Sequence, residues 1–193
     1  FQATISWWKG LIDKGYMPPL EAVTGQGSSD IFAAGKYAMI TNGSWMTNQM
    51  FNYPGVETGL APTPKGPNGE RGSMLNGLGD SVWIGSDNKA GAVKWVEFLG
   101  SADCQNLVAQ DAIVLPAIPA ATDAAIAAWE AKGIDMSAFT VHIDEGTTHQ
   151  WPITDHASEI NNIMGPAMDA VLTGSADVGS LTAANEQVNA LLG

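Results

Sequence analysis

Cysteine is almost missing from this chain, and positive charge is scarce. The single Cys104 excludes an internal disulfide and any cysteine-built metal cluster. Lys and Arg number 8 against 20 Asp and Glu, a net charge of −12. Such a surface repels nucleic acid and anionic membranes, while neutral ligands such as sugars remain compatible. No apolar run approaches membrane-spanning length. Catalytic fingerprints are lacking too, with no H-E-x-x-H, G-x-S-x-G, P-loop or dinucleotide motif. His142, His149 and His156 recur every seven residues. Gly146 and Pro152 interrupt any helix that would align them, so no metal site is expected.

What is present suits a folded chain. Apolar residues make up 45% of the 193, enough for one sizeable core or parts of two. The 22 glycines and 10 prolines punctuate turns rather than a disordered tract. Periodicity predicts helices over Ser6–Lys14, Asp30–Ala34 (capped by Ser28), Ser44–Phe51, Asn88–Leu99, Ala102–Gln110, Ala120–Lys132 and Ser180–Leu191. Ile153–Leu172 has helical spacing too, with a bend or break expected at Gly165–Pro166. Strands are predicted at Tyr37–Thr41, Val56–Ala61 and Gly79–Gly85, giving a helix-rich α/β order. Cys104 is expected as a small buried residue, and Trp7, Trp8, Trp95 and Trp129 as packing residues of amphipathic helices.

Three places carry candidate binding chemistry. In Ile31–Trp45 (IFAAGKYAMITNGSW), Gly35 suits a left-handed helix close, Gly43 a sharp turn and Ser44 a helix cap. Trp45 then stands at a strand-to-helix junction, either as a flat platform for a sugar ring or as a cap on the core. In Asn76–Trp83, Gly77 and Gly79 permit close backbone approach or hinge rotation. Asn76 and Asp80 offer hydroxyl-binding groups, or Asp80 caps a turn; Trp83 alternates with its neighbours as a core residue would. In Asp144–Pro152, Trp151 is a second platform, with Glu145 and His149 as hydroxyl partners or as parts of an ordered surface loop.

The pattern F-x-x-G-K-x-A-M-x-x-x-G-x-W ending at Trp45 resembles family 1 extracellular solute-binding proteins. These are the maltose-binding-protein-like sugar receptors of ABC importers. Gly59–Gly66 (GLAPTPKG) is similar to the family's strand and Pro-x-Pro-x-Gly turn. Asn76–Gln105 is similar to its glycine-rich crossover, S-x-N-K turn and following helix pair. The resemblance runs from about Ser6 to Leu192. It implies a periplasmic-binding-protein-like (type II) fold, of which this chain would be the helix-rich C-terminal portion.

On that basis residues 1–75 would belong to the C-terminal lobe. Residues 76–145 would form a crossover and part of the N-terminal lobe, and 146–193 the return. Gly77, Gly79 and Pro152 would be hinges. A sugar would be the ligand, ABC permease subunits the partners, and the setting periplasmic or a cell-surface lipoprotein; no cofactor or nucleic acid is implied. The abrupt start at Phe1, without initiator methionine, signal segment or lipid-attachment cysteine, suits a piece of a longer receptor. The polar stretch near Asn161–Asn162 departs from maltose-binding protein, which has an aromatic on that helix, and weakens any transfer of maltose specificity. Two other classes compete: a receptor for a polyamine, phosphate ester or iron, and a glycoside hydrolase using two of Asp80, Asp144 and Glu145.

Overall fold

A computed structural model describes residues 1–193. Its regular structure is helical apart from one pair of short parallel strands. The helices are α1 (Gln2–Asp13), α2 (Leu20–Val23), α3 (Ser28–Ala33), α4 (Thr47–Phe51), α5 (Lys89–Leu99), α6 (Ala102–Gln110), α7 (Pro119–Glu130), α8 (Ser137–Asp144), α9 (Ala157–Leu172) and α10 (Leu181–Leu192). The strands are β1 (Ser73–Leu75) and β2 (Thr148–Gln150). No helix is long and apolar enough to cross a membrane. The chain divides into two compact units, Phe1–Ala38 with Pro152–Gly193, and Met39–Trp151.

In the first unit α1 packs on α9 and α9 on α10. Ile5, Val171 and Leu181 form the core, with Ala167, Met168 and Leu172 packed against them. Gly35 closes α3 in the left-handed region, φ +67. Its N–H donates to the Phe32 carbonyl at 2.9 Å and that of Lys36 to the Ile31 carbonyl at 3.3 Å, so two carbonyls at the helix end are satisfied. Ser28 is the first helical residue rather than a cap; Gly27 takes the cap position with no side chain to offer. α9 runs unbroken through Pro166, against expectation. Proline removes the N–H that would reach the Asn162 carbonyl, but Asn162 is exposed and water can take that bond.

The second unit holds the larger core. Ala109, Ala112, Ala121, Ala125 and Trp129 are fully buried, joined by Ile134 and Met136. Alanine at the α6–α7 contacts lets the two helices approach closely, and the Trp129 indole fills the space beside them. The Asn88 carboxamide caps α5 by accepting from Gly91 N–H at 3.1 Å, and the Ser101 hydroxyl caps α6 by accepting from Cys104 N–H at 3.3 Å. Of the expected packing tryptophans, Trp129 is buried, whereas Trp7, Trp8 and Trp95 are exposed. Trp7 packs edge-on to Trp8 and Trp95 lies against Phe98. Cys104 is half-buried.

The expected strands at 37–41, 56–61 and 79–85 do not form. A strand needs a partner to take its N–H and C=O groups, and the one pairing joins β1 to β2. Val56, Thr58 and Leu60 are still more buried than Glu57 and Gly59, so the alternation that suggested a strand survives without the ladder. α8 lies where no element was predicted, and β2 where a polar loop was expected.

Candidate functional site

All six expected ligand-binding residues belong to the Met39–Trp151 unit. β1 and β2 run parallel in the register Ser73 to Thr148, Met74 to His149 and Leu75 to Gln150. The next residues, Asn76 and Trp151, therefore leave the sheet at the same end. That end is formed by the strands' carboxyl termini, the side on which open α/β sheets bind ligands. Residues 75 positions apart in sequence are thus brought together, and Trp151 is 62% exposed. Gly77 and Pro152 follow, so two of the proposed hinges continue from these strand ends. His149 is exposed on β2, opposite Met74.

Trp45 is not joined to this end by any strand pairing. It lies in a 3-10 turn, Ser44–Met46, capped by Gly43 rather than by the Ser44 hydroxyl. The Asn42 side chain accepts from the Gly43 N–H at 2.8 Å. A β-carbon added to Gly43 would run into the Trp45 ring, so the indole lies folded over the glycine with nearly half its surface free. It is an exposed aromatic rather than a core cap. Asp80 is exposed, with Gly77 and Gly79 beside it in open space. Trp83, expected to favour the core, is 75% exposed and folds back over Gly85, where a β-carbon would come within 2.6 Å of the ring.

Glu145 closes α8 and faces Arg71, with Oε2 and Nε 3.7 Å apart. Its carboxylate therefore has a partner within the chain. Arg71 also donates to the Thr63 carbonyl. Beside these contacts is His142, 3% exposed, to which the sequence alone assigns no role. Its signal was a lone histidine in the apolar stretch Ala138–Ile143, more typical of a satisfied core residue than of a ligand. The Thr63 N–H donates to Nε2 at 3.3 Å, and Nδ1 lies 3.2 Å from the Thr147 hydroxyl.

A cavity of about 300 Å³ lies in the other unit between Trp8, Ile12, Met17, Leu20, Val23 and Leu172. Its lining side chains are apolar apart from the Trp8 indole N–H, too little to fix several hydroxyls. No cluster of His, Cys, Asp or Glu is arranged to hold a metal ion.

Parallel strands ending together, flanked by exposed aromatics and helices, suit a protein that holds a small solute. The chain belongs to the bacterial extracellular solute-binding protein family, whose pattern matches residues 2–134. It is 28% identical over 176 residues to proteins named "putative binding protein" in Brucella abortus (strain 2308) and Brucella suis biovar 1 (strain 1330). Each match covers 88% of this chain and 41% of the relative. A crystal structure of M. tuberculosis UspC has a similar fold, with TM-score 0.73 at 23% identity, over 96% of this chain and 47% of that one. The chain thus spans less than half the length of the relatives it matches.

Proposed function

We propose that this chain serves in a carbohydrate-binding receptor of an ABC importer, capturing an extracellular or periplasmic sugar and handing it to the permease. The observation that carries this reading is the shared exit of Asn76 and Trp151 from parallel strands. It puts a carboxamide and an exposed indole at one sheet end. The apolar face of a sugar ring stacks on an indole while amide groups bond its hydroxyls. Trp45 supplies a second platform, and Asp80 and His149 further hydroxyl partners. Glu145 contributes indirectly, through Arg71.

Lobe closure of the whole receptor would turn the chain about Gly77, Gly79 and Pro152. A sugar drives closure only by the amount by which it binds the closed form more tightly. Family membership and the naming of the relatives as binding proteins favour a receptor over a hydrolase. One observation favours a second solute class. Exposed tryptophans and the free Asp80 carboxylate on a chain of net charge −12 also suit a polyamine.

Calorimetric titration of the intact receptor with mono- and oligosaccharides, with putrescine and spermidine alongside, tests the proposal. Saturable heat from one sugar class, with the sugar recovered unaltered, is the expected result. Heat from the polyamines alone, or release of reducing sugar, would replace it with the second reading or with an enzyme.

A further inference from the structure

Strands of three residues each do not hold their own register. A two-stranded pairing is marginal in water, and polar strands slip easily. A slip of one residue would turn every side chain to the other face and separate Asn76 from Trp151. Something outside the ladder must pin it.

We infer that His142 is that positioning residue: one imidazole, bonded to Thr63 on one edge and Thr147 on the other, ties the lead-ins of both strands together and so sets where Asn76 and Trp151 stand. The inference rests on the sugar-binding reading of that strand end. The Thr63 N–H can only donate, so Nε2 accepts its bond at 3.3 Å. The ring proton of the neutral imidazole then sits on Nδ1 and is shared with the Thr147 hydroxyl at 3.2 Å.

Thr147 leads directly into β2, and Thr63 reaches the lead-in of β1 through its own hydrogen bonds. The Thr147 N–H donates to the His142 carbonyl at 2.9 Å, and the Thr147 carbonyl accepts from Ser73 N–H at 3.0 Å, alongside the first register pair of the parallel strands. On the other side the Thr63 hydroxyl donates to the Gly72 carbonyl at 3.1 Å and Arg71 donates to the Thr63 carbonyl. Residues 71–72, which precede β1, and residue 147, which precedes β2, are thus held from one buried ring. A packing role alone would need the ring's volume and neither nitrogen.

The test compares His142→Phe, which keeps a ring without the nitrogens, with His142→Gln, whose side-chain carbonyl can accept from the Thr63 N–H. Thr147→Val removes the partner of Nδ1 and serves if the histidine variants fold poorly. Amide hydrogen exchange at Ser73 and sugar affinity are read in the intact receptor. His142→Phe is expected to speed Ser73 exchange about tenfold and to weaken sugar binding by a similar factor, as loss of a buried hydrogen bond does. His142→Gln should recover most of both.

Ser73 exchange that stays within about twofold of the wild type in both His142→Phe and Thr147→Val would overturn the inference. Faster exchange with unchanged sugar affinity would overturn it as well. Failure of the wild-type receptor to bind any sugar would instead strike the function proposed above; the exchange rates would still decide whether His142 pins the register.

Discussion

The helical side of the Met39–Trp151 unit and its strand end are built from opposite materials. On the helical side α6, α7 and the turn after α6 bury four alanines and Trp129 completely, with no charged residue among them. At the strand end two short strands are held by Thr63, Arg71, His142, Thr147 and Glu145, and the residues beyond them stand in solvent. One side is held by volume and the other by direction. Packing tolerates small displacements and fails when volume is lost. A hydrogen-bonded clamp fixes position while burying little surface, which suits a place where a ligand must be met in a defined geometry.

That contrast can be broken most severely at Trp129. Trp129→Ala is expected to destabilise the unit by about 3–5 kcal/mol, read from thermal or urea unfolding; a loss below about 1 kcal/mol would mean that the alanine helices hold themselves. Next comes Trp45→Ala, expected to weaken sugar binding by about 1–3 kcal/mol with little change in stability. Calorimetry with a parallel melt checks both halves, and unchanged affinity removes Trp45 from the site.

Gly43→Ala should act through the same ring while leaving Trp45 itself unsubstituted. Gly43 has φ −91, which alanine accepts, but its methyl group collides with the indole. Displacing the ring from its rotamer is expected to cost binding about 0.5–1.5 kcal/mol, with melting behaviour close to the wild type.

The smallest effect lies at Asp135, just before α8. The Ser137 N–H donates to its carboxylate at 2.8 Å, and that backbone bond, helped by the Ser137 side chain, holds the pKa below its ordinary 3.8. A carboxyl whose folded pKa is lowered adds stability that is present above the ordinary value and lost as pH falls through the lowered one. Acid melts across that range should therefore cost the wild type slightly more than Asp135→Asn, and equal losses would remove the bond from the account.

The same contrast explains what could be read from the chain. α5, α6 and α7 follow from local periodicity, because a helix is specified within a few residues; the caps Asn88 and Ser101 are seen in the structure. The pairing of Ser73 with Thr148 joins positions 75 apart, and no local pattern announces it. Strand-like stretches at 37–41 and 79–85 found no ladder. α8 went unread because its eight residues carry no side-chain cap, and β2 because it lies within Asp144–Pro152, which reads as a polar loop. Trp151, Asn76 and Trp45 could be picked from residue type and neighbouring glycines as candidate binding groups, and the structure shows all three exposed. That Asn76 and Trp151 leave one sheet end together was not legible, nor was His142, whose part depends on Thr63 and Thr147 arriving from elsewhere.

The central claim, a sugar held at the end of β1 and β2, is tested most directly by fluorine NMR of the intact receptor labelled with fluorotryptophan. Each resonance would be assigned by single tryptophan-to-phenylalanine substitutions and followed through a sugar titration. The account predicts saturable shifts of the Trp151 and Trp45 signals at the calorimetric affinity, with buried Trp129 unmoved. Sugar that binds by calorimetry while Trp151 and Trp45 both stay in place would contradict it.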